Sequence, residues 1–254
     1  MLASLEAGEA IMDIYDHDDF EVDFKKDDSP LTKADIASHK IIIKALAKTE
    51  VPVLSEEGRN IDYEERKAWS KLWIVDPIDG TKEFIKKNGE FTVNIALIEG
   101  QRPVMGVIYV PVLKDLYFAS KDIGSFICKN VDLNSSFDEI MKNSIKLPKE
   151  NRSDKFTIVA SKSHLSKETQ EFIEKVKIRK GAIATISKGS SLKLCMIAEG
   201  KADCYPRFAP TMEWDTAAGH AICLYAGKKV IDQNTSEEML YNRENLLNNW
   251  FVAH

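Results

Sequence analysis

The sequence predicts an α/β fold in which two N-terminal helices precede a mostly antiparallel sheet, and a smaller α/β second domain follows. Three observations support this prediction. Apolar residues recur at helical spacing near the N-terminus, short β-rich runs follow between residues 72 and 128, and strand-like and helix-like segments alternate beyond residue 155. A chain of 254 residues can bury a sizeable core without disulfide or metal staples.

The helices and the sheet are predicted in the first half of the chain. Residues 3–15 place Leu5 and Ile11 on one side of a helix, and Thr32-Lys-Ala-Asp35 matches a capping box that opens a second helix. Strands are predicted where short runs are rich in β-branched and aromatic residues. These runs are residues 72–75, 91–98, 104–110, 116–119 and 124–128, with a hairpin loop at 99–103.

The second half is predicted to form a separate α/β layer. Residues 129–155 are polar and poor in strand signals, so we place a boundary there, between a first domain of residues 1–134 and a second of residues 135–254. A strand is predicted at residues 157–160. Three helices are predicted, from Ser166 as N-cap to residue 176, from about 190 to 199 with a stop at Gly200, and from about 215 to 226 with a stop at Gly227.

The surplus of acidic residues argues against some functions. Lys and Arg total 35 against 40 Asp and Glu, and the net charge of −5 disfavours a general nucleic-acid binder, which needs a basic footprint. A bound metal can still invert the local charge for an anionic substrate. Eight carboxylates lie within residues 13–28 without the spacing of a calcium loop, and we expect a solvated loop there.

We expect a cytoplasmic protein, because the sequence has neither the start of a signal peptide nor an uncharged stretch of membrane-spanning length. The first lysine is Lys25, so the positive start of a signal peptide is missing, and the longest uncharged stretch, residues 216–227, has twelve residues. The four cysteines form no CxxC pair and are expected to be free thiols in a reducing compartment. We expect no transmembrane segment; the inner face of the membrane is the alternative, peripheral location.

The densest signal for chemistry is Asp76-Pro-Ile-Asp79-Gly-Thr81, at the end of a predicted strand. Pro77 fixes the turn and Gly80 permits a tight backbone path, so the two aspartates can lie side by side. Adjacent carboxylates repel unless a cation lies between them, and hard oxygen ligands favour Mg²⁺. The amides after Asp79 could open a short helix that binds phosphate. An Asp-Gly turn with a capping Asp is the alternative for this segment alone.

Further acids lie at predicted element termini. Glu56 and Glu57 follow a predicted strand, Asp215 lies where a helix should begin, and Asp35 belongs to the capping box. Each has a purely structural alternative, as a solvated pair, an N-cap or a capping-box acid. Loops at element ends often carry sites, so these acids could converge on one cleft.

Several competing motifs are missing from the sequence. Phosphatases that form an aspartyl-phosphate use Asp-x-Asp-Gly-Thr, whereas the acids here are spaced Asp-x-x-Asp. There is no Cys-x₅-Arg, no P-loop, no Gly-x-Gly-x-x-Gly and no nucleophile elbow. The five histidines never pair at metal-ligand spacing.

Two motifs together carry a family resemblance. Asp76-Pro-Ile-Asp79-Gly-Thr81 and Trp214-Asp215-Thr-Ala-Ala218 resemble the signature motifs of the inositol monophosphatase superfamily, which comprises Mg²⁺-dependent, lithium-sensitive phosphatases. Ser55-Glu56-Glu57, about twenty residues before the first motif, also fits. The likeness covers nearly the whole chain and implies a layered αβαβα sandwich.

Four further stretches resemble the bacterial 3'(2'),5'-bisphosphate nucleotidases of the CysQ type. They are Ser29-Pro-Leu-Thr-Lys-Ala-Asp35, Gly80-Thr-Lys-Glu-Phe-Ile85, Asn88-Gly-Glu-Phe-Thr-Val-Asn94 and Tyr241-Asn-Arg-Glu-Asn-Leu-Leu247. Such enzymes remove the 3'-phosphate of adenosine 3',5'-bisphosphate to give AMP, and some act on its sulfated precursor in sulfate assimilation. The resemblance implies a small phosphorylated nucleotide as substrate, no nucleic-acid partner, and a monomer or homodimer.

The resemblance also implies a role for each candidate site residue. The implied metal ligands are Glu56, Asp76, the carbonyl of Ile78, Asp79 and Asp215. Asp35 and Thr81 resemble the pair that orients the attacking water, and the amides of Gly80 and Thr81 would hold the scissile phosphate. The residues that resemble contacts to the nucleoside and its second phosphate are Ser161, His164, Ser190, Lys193 and Arg207. For Lys193, a solvated helix face is the alternative.

The implied mechanism is in-line hydrolysis with two or three Mg²⁺ ions and no covalent intermediate. One ion, at Glu56, Asp76 and Ile78, would lower the pKa of a bound water. A second, at Asp76, Asp79 and Asp215, would stabilise the leaving ribose oxygen. The alternative enzyme is an inositol monophosphatase or a broad-specificity sugar phosphatase. The alternative outside enzymes is a nucleotide or metal sensor, against which the intact Asp35 and Thr81 argue.

Overall fold

The computed structural model describes residues 1–17, 22–24, 30–149, 155–161 and 166–254, with the backbone alone for Phe24 and Ser161. The helices are α1 Leu2–Tyr15, α2 Lys33–Leu46, α3 Tyr63–Arg66, α4 Thr81–Ile85, α5 Phe137–Asn143, α6 Lys167–Lys180, α7 Leu192–Glu199 and α8 Glu213–Tyr225. The strands are β1 Asp23–Phe24, β2 Pro30–Leu31, β3 Val53–Ser55, β4 Lys71–Asp79, β5 Thr92–Glu99, β6 Arg102–Val110, β7 Asp115–Ser120, β8 Gly124–Cys128, β9 Ile145–Lys146, β10 Phe156–Ser161, β11 Ile183–Lys188, β12 Tyr205–Arg207, β13 Val230–Asp232 and β14 Phe251–Ala253.

The centre of the molecule is a seven-stranded sheet in the order β3-β4-β5-β6-β7-β8-β9. Every pair is antiparallel except β3 with β4, which run parallel, so the predicted mostly antiparallel sheet is confirmed. The hairpin between β5 and β6 turns at Gly100 and Gln101, both with positive φ. That two-residue turn matches the right-handed twist of the strands, and it is shorter than the predicted loop at 99–103.

Five layers stack in the order αβαβα. Helices α1 and α2 pack on one face of the central sheet and α8 packs on the other, with α7 beside α8. Helix α7 contacts β10 and β12 of the next layer, and α6 contacts β12 on the far side. The layered α/β fold and its N-terminal helices are therefore as the sequence and the resemblance predicted.

Close packing fixes α8 against the sheet. A Cβ added to Gly106 of β6 would lie 2.5 Å from the carbonyl oxygen of Ala218, and one added to Gly219 would lie 2.4 Å from Leu194 of α7. Gly106 thus allows β6 to approach the α8 backbone, and Gly219 leaves room for the Leu194 side chain against α8. The position of the N-terminus of α8, which carries Asp215, is thereby tied to β6 and α7.

The outer β layer consists of two small sheets. Strands β10 and β11 pair in parallel, and β12, β14 and β13 form an antiparallel sheet in that order. A bridge between Ile158 and Cys204 links the two. Ile158, Val176 and Phe208 form a small core with their neighbours under α6.

Several element predictions need correction. Helix α7 begins at Leu192 rather than 190, because Ser190 has a φ of 42°, outside helical space. Helix α8 begins at Glu213, two residues before the predicted start. Strand β11 was missed, as were α5 and β9 within residues 129–155. Since β9 joins the central sheet, that sheet extends past residue 134; the division into two domains stays a prediction.

The predicted helix caps are confirmed. Thr32 and Asp35 form the capping box of α2, Ser166 accepts from the Thr169 amide at the start of α6, and α7 ends at Gly200 with a φ of 76°. Half of the acidic stretch at residues 13–28, namely residues 18–21 and 25–28, lies outside the described residues. Among the described helices, none combines the length and apolar character needed to cross a bilayer.

Candidate active site

Strand β4 presents two aspartates on one face because it carries an extra residue. Asp76 pairs with Asn94 and Asp79 pairs with Thr92, so three steps on β4 match two on β5. Without this bulge, residues three apart would point to opposite faces of the sheet. The predicted turn between Asp76 and Asp79 is therefore an irregularity inside a longer strand, with the same effect on the two side chains.

The core packing confirms the change of face. Ile74 packs in the core on the α8 side of the sheet, whereas Ile78 packs in the core beneath α1 and α2. Residues four apart in a regular strand would share a face. The bulge thus points Asp79 towards α8 and leaves the Ile78 side chain buried on the opposite side.

Helix α8 brings a third aspartate to the pair. Carboxylate oxygens of Asp76, Asp79 and Asp215 lie within 4.8 Å of one another. Asp215 is the third residue of α8 and accepts a hydrogen bond of 2.8 Å from the Met212 amide. The N-terminal capping role and the cluster role therefore coexist in one side chain.

Glu56 completes the acidic end, which we define as Glu56, Asp76, Asp79 and Asp215. Its amide donates to the Val75 carbonyl at 3.1 Å and so extends the β3–β4 pairing by one residue. Its carboxyl group lies within hydrogen-bonding reach of Asp76. The structure brings together all four carboxylates that the resemblance named as metal ligands.

The charges and the burial of the acidic end favour the binding of a cation. Asp76 is 1% exposed, and burial, followed by the charges of Glu56 and Asp79, raises its pKa well above the ordinary value. Burial and the same two neighbours raise the pKa of Asp215 to about 8. The buried Asp76 Oδ1 has no hydrogen-bond partner among the described residues. A set of oxygen donors with an unmet buried carboxylate oxygen fits a hard divalent cation.

Thr81 links the acidic end to helix α2. Its hydroxyl oxygen lies 3.3 Å from Asp35 Oδ1 and 3.3 Å from the Ile78 carbonyl oxygen. Asp35 Oδ2 meanwhile accepts from the amide and the hydroxyl of Thr32, at 2.8 and 2.5 Å. The two carboxylate oxygens of Asp35 thus divide the capping role and the site contact between them.

Two more residues of α2, missed by the sequence analysis, hold the site. Ser38 donates to the Pro77 carbonyl at 2.8 Å, and His39 Nδ1 lies 3.0 Å from the Ser55 hydroxyl. Together with Asp35 they follow the i, i+3, i+4 spacing of one helix face. That spacing was visible in the sequence, but their backbone and side-chain partners were not.

Asn94 and Ser191 were also missed. Ser191 Oγ lies 2.7 Å from Asp79 Oδ2, and Asn94 Nδ2 lies 2.9 Å from Ser191 Oγ. Thr92 and Asn94 interrupt an otherwise apolar strand, which was the one available signal.

A cavity of about 490 Å³ runs from the acidic end to a basic end, which we define as Ser190, Lys193 and Arg207. Thr81 and Gly80 line the cavity between the two ends. Gly80 has a φ of 97°, and an added Cβ would lie 3.1 Å from the Glu90 carbonyl oxygen, so the backbone there requires glycine. The amides of Gly80 and Thr81 open the five-residue helix α4, and their contact with phosphate stays a prediction.

The basic end is buried rather than solvated. Lys193 is 6% exposed, donates to the carbonyls of Ser190 and Lys188 at 2.6 and 3.2 Å, and lies 5.6 Å from the Tyr205 ring centre. Burial lowers its pKa to about 8, while Asp79 acts in the opposite direction. The alternative of a solvated helix face for Lys193 is therefore wrong.

The other two residues of the basic end have unmet polar atoms. Arg207 Nη2 donates to the Pro210 carbonyl at 2.9 Å, while the buried Nε has no hydrogen-bond partner among the described residues. The same holds for the buried hydroxyl of Ser190. His164 and the side chain of Ser161 lie outside the described residues.

Comparisons with known proteins agree on one family. Residues 1–253 match the inositol monophosphatase family. The chain is 45% identical over 248 residues to the 3'(2'),5'-bisphosphate nucleotidase CysQ of Salmonella typhimurium, covering 96% of this chain and 94% of that protein. It is 43% identical to the protein of that name in Escherichia coli K12, with the same coverage.

Solved structures give the same answer for the fold. The crystal structure of CysQ from Bacteroides thetaiotaomicron, described as a bacterial member of the inositol monophosphatase family, superposes with a TM-score of 0.91 at 51% identity. The alignment covers 99% of this chain and 94% of that one. The extragenic suppressor protein suhB of Bartonella henselae superposes with a TM-score of 0.75 at 25% identity, covering 99% and 90% of the two chains.

Proposed function

Because the chain belongs to the inositol monophosphatase family, we propose that it is a 3'(2'),5'-bisphosphate nucleotidase. The reaction is hydrolysis of the 3'-phosphate of adenosine 3',5'-bisphosphate to AMP and phosphate. One observation carries the proposal: a single cavity is lined by Glu56, Asp79 and Asp215 at one end and by the buried Lys193 and the half-buried Arg207 at the other. That arrangement suits a substrate with two phosphates, one to be hydrolysed and one to be held.

The acidic end would hold the cations. Asp76, Asp79 and Asp215 provide one group of carboxylates, and Glu56 with the Ile78 carbonyl provides further oxygen donors beside Asp76. Oxygen-only donors favour Mg²⁺, and we propose two or three ions. Such ions lower the pKa of a coordinated water and neutralise the charge that develops on phosphoryl oxygens.

Thr81 and Asp35 are proposed to orient the attacking water. In its carboxylate form Asp35 only accepts hydrogen bonds, so the Thr81 hydroxyl donates to Asp35 Oδ1. The lone pairs of Thr81 Oγ1 are then left to accept a hydrogen bond from a water at the acidic end. Asp35 itself cannot rotate freely, because Thr32 holds its other oxygen.

The basic end is proposed to bind the second phosphate. Charge-assisted hydrogen bonds, which Lys193 and Arg207 can donate to a phosphate, are about twice as strong as neutral ones. The Ser190 hydroxyl adds a donor with no partner among the described residues. The sulfated precursor of the substrate has the same 3'-phosphate and is a second substrate to test.

Two alternatives differ in their predictions. An inositol monophosphatase or broad-specificity sugar phosphatase would share the acidic end but would need hydroxyl-binding partners where Lys193 and Arg207 lie. A nucleotide or metal sensor would not need Thr81 in contact with Asp35. The lysine and arginine in the cavity therefore favour the nucleotidase, and the Thr81–Asp35 contact favours an enzyme.

A substrate panel tests the proposal. Phosphate release is measured with Mg²⁺ from adenosine 3',5'-bisphosphate, inositol 1-phosphate and fructose 1,6-bisphosphate, with and without lithium. We expect kcat/KM for the nucleotide to exceed that of the other two at least about tenfold, the factor that 1.4 kcal/mol provides. A preference for inositol 1-phosphate would overturn the substrate assignment, and no release from any monoester would overturn the enzyme assignment.

We further propose that the protein acts in the cytoplasm as a monomer or homodimer. All four cysteines are free and buried, which is the usual state in a reducing compartment. Light scattering on the purified protein measures the oligomeric state, and a larger assembly would contradict the second part of this proposal.

A further inference from the structure

Ser191 occupies a helix-capping position but does not cap its helix. It is the N-cap of α7 by position, with φ −69° and ψ −4°, and makes no capping hydrogen bond. The N-cap hydroxyls of Thr32, Ser136 and Ser166 each accept from a backbone amide of their own helix. Serine is favoured at N-caps because of that hydrogen bond, so the use of Ser191 must lie elsewhere.

The Ser191 hydroxyl instead joins the two motif segments of the site. Its oxygen lies 2.7 Å from Asp79 Oδ2 at the end of β4 and 2.9 Å from the Asp215 carbonyl oxygen in α8. The residue is only 3% exposed, so water does not replace these contacts. The shorter distance and the negative charge assign its one hydrogen to Asp79.

Asn94 fixes the direction of that hydrogen. Its Nδ2 donates to Ser191 Oγ at 2.9 Å, and its Oδ1 accepts from the Thr92 hydroxyl at 2.9 Å. Thr92 and Asn94 are 0% and 1% exposed. Because the Ser191 hydroxyl oxygen accepts from Asn94, its own hydrogen is free to point at Asp79. Thr92, Asn94 and Ser191 therefore form a chain of hydrogen bonds that all run in one direction and end on the Asp79 carboxylate.

We propose that Ser191, oriented by Asn94, is a positioning residue that sets the rotation of the Asp79 carboxylate and thereby the cation affinity of the acidic end. The proposal deepens the proposed function, on which it rests for the use of that cation in catalysis. Asp79 Oδ2 is held through Ser191 and lies 3.4 Å from Asn94 Nδ2. Partners that orient metal ligands typically contribute 10- to 100-fold in metal affinity or activity.

The test measures Mg²⁺ binding to the substrate-free protein by calorimetry for the native chain, Ser191→Ala and Ser166→Ala. Ser191→Ala should raise the Mg²⁺ dissociation constant about 10-fold or more. Ser166→Ala is the matched control: it removes a true capping hydroxyl from α6, so it should lower the melting temperature and leave Mg²⁺ binding within twofold.

Asn94→Ala extends the test to the second residue of the chain. It should weaken Mg²⁺ binding in the same direction, and the loss in the double variant should be smaller than the product of the two single losses, because the residues share one chain of hydrogen bonds. Activity adds a second readout: the Mg²⁺ concentration for half-maximal rate should rise in Ser191→Ala, while kcat at saturating Mg²⁺ stays within about threefold.

The outcomes separate this inference from the proposed function. Native-like Mg²⁺ binding by Ser191→Ala and Asn94→Ala would overturn the positioning role even if the native protein hydrolyses the nucleotide. A loss of melting temperature with unchanged binding would likewise assign Ser191 a structural role only. If the native protein binds Mg²⁺ but hydrolyses no monoester, the proposed function fails while the binding comparison still tests Ser191.

Discussion

The two ends of the cavity are built in different ways. The acidic end consists of carboxylates whose burial, followed by the charges of their neighbours, raises the pKa of Asp76 and Asp215. The basic end consists of a lysine and an arginine that already donate to backbone carbonyls. This difference is the basis of our proposal that the acidic end carries out the chemistry and that the basic end selects the substrate.

The two ends are also held differently. Every carboxylate of the acidic end lies at or near a secondary-structure terminus, and α2, β5 and α7 hold the surrounding backbone and side chains. The basic end comes from the turn before α7, from α7 itself and from β12. We therefore expect substitutions at the acidic end to change turnover, and substitutions at the basic end to change substrate preference.

The largest effect is expected from Asp76→Asn. The change keeps the shape of the side chain but removes a charge shared by the proposed cation sites. Because bound metal contributes several kcal/mol of transition-state stabilisation, kcat should fall by roughly 10³-fold or more. Steady-state phosphate release at saturating Mg²⁺ measures it, and a kcat within tenfold of the native value would break the assignment of the acidic end.

The Asp76→Asn variant should also change the stability of the cation-free protein. Neutralising one of four repelling carboxylates should raise the melting temperature of the cation-free protein, even as activity is lost. Asp138→Asn, at an exposed position in the first turn of α5, is a suitable control: it should leave kcat unchanged and should not raise the melting temperature. A lower melting temperature for Asp76→Asn would mean that the carboxylates do not repel one another in the folded chain.

Much of the acidic end was predictable because its residues lie in two contiguous motifs. The side chains of Asp76 and Asp79 were correctly predicted to lie together, although the cause is a strand bulge rather than a turn. Ser191 could not be predicted, since its partner Asp79 is 112 residues away in the chain. Hydrogen bonds between distant segments leave no spacing pattern in the sequence.

The burial of Lys193 at the basic end and the presence of β11 in the outer layer were harder to predict from the sequence. Lys193 on a short helix is indistinguishable from a solvated lysine until α7 is placed between two β layers, where it is buried. Strand β11, residues Ile183–Lys188, was missed because only one side of it pairs, with β10, and its residues are half-exposed. Tertiary context overrides weak local signals in such segments.

A smaller effect is expected from pH on the cation-free protein. The pKa of Asp215 is raised from 3.8 in the reference state to about 8 in the folded chain. The folded protein therefore binds this proton more tightly than the unfolded chain, and stability is lost as the pH rises from about 4 to about 8. The melting temperature should fall over this range, by roughly 2–4 °C for each kcal/mol of stability lost.

Two controls isolate that pH dependence. Added Mg²⁺ should reduce it, because the cation replaces the protons, and Asp215→Asn should reduce it without Mg²⁺. Melting curves recorded between pH 5 and pH 8 measure the effect. A slope that is the same in native and Asp215→Asn proteins would show that other groups, such as the buried Glu213, dominate the titration.

The most direct test of the proposal that the basic end selects the substrate is a comparison of kcat/KM for adenosine 3',5'-bisphosphate and adenosine 3'-monophosphate. It is measured for the native protein and for Lys193→Met. The native kcat/KM should favour the bisphosphate by about 10- to 100-fold, because a charged hydrogen bond contributes roughly 1.5–3 kcal/mol. Lys193→Met, which keeps a buried side chain of similar length without the charge, should lower this ratio severalfold, to the share that Arg207 and Ser190 contribute, while the rate on the monophosphate stays within about threefold. A native ratio near one, or a ratio unchanged by Lys193→Met, would contradict the assignment of substrate selection to the basic end.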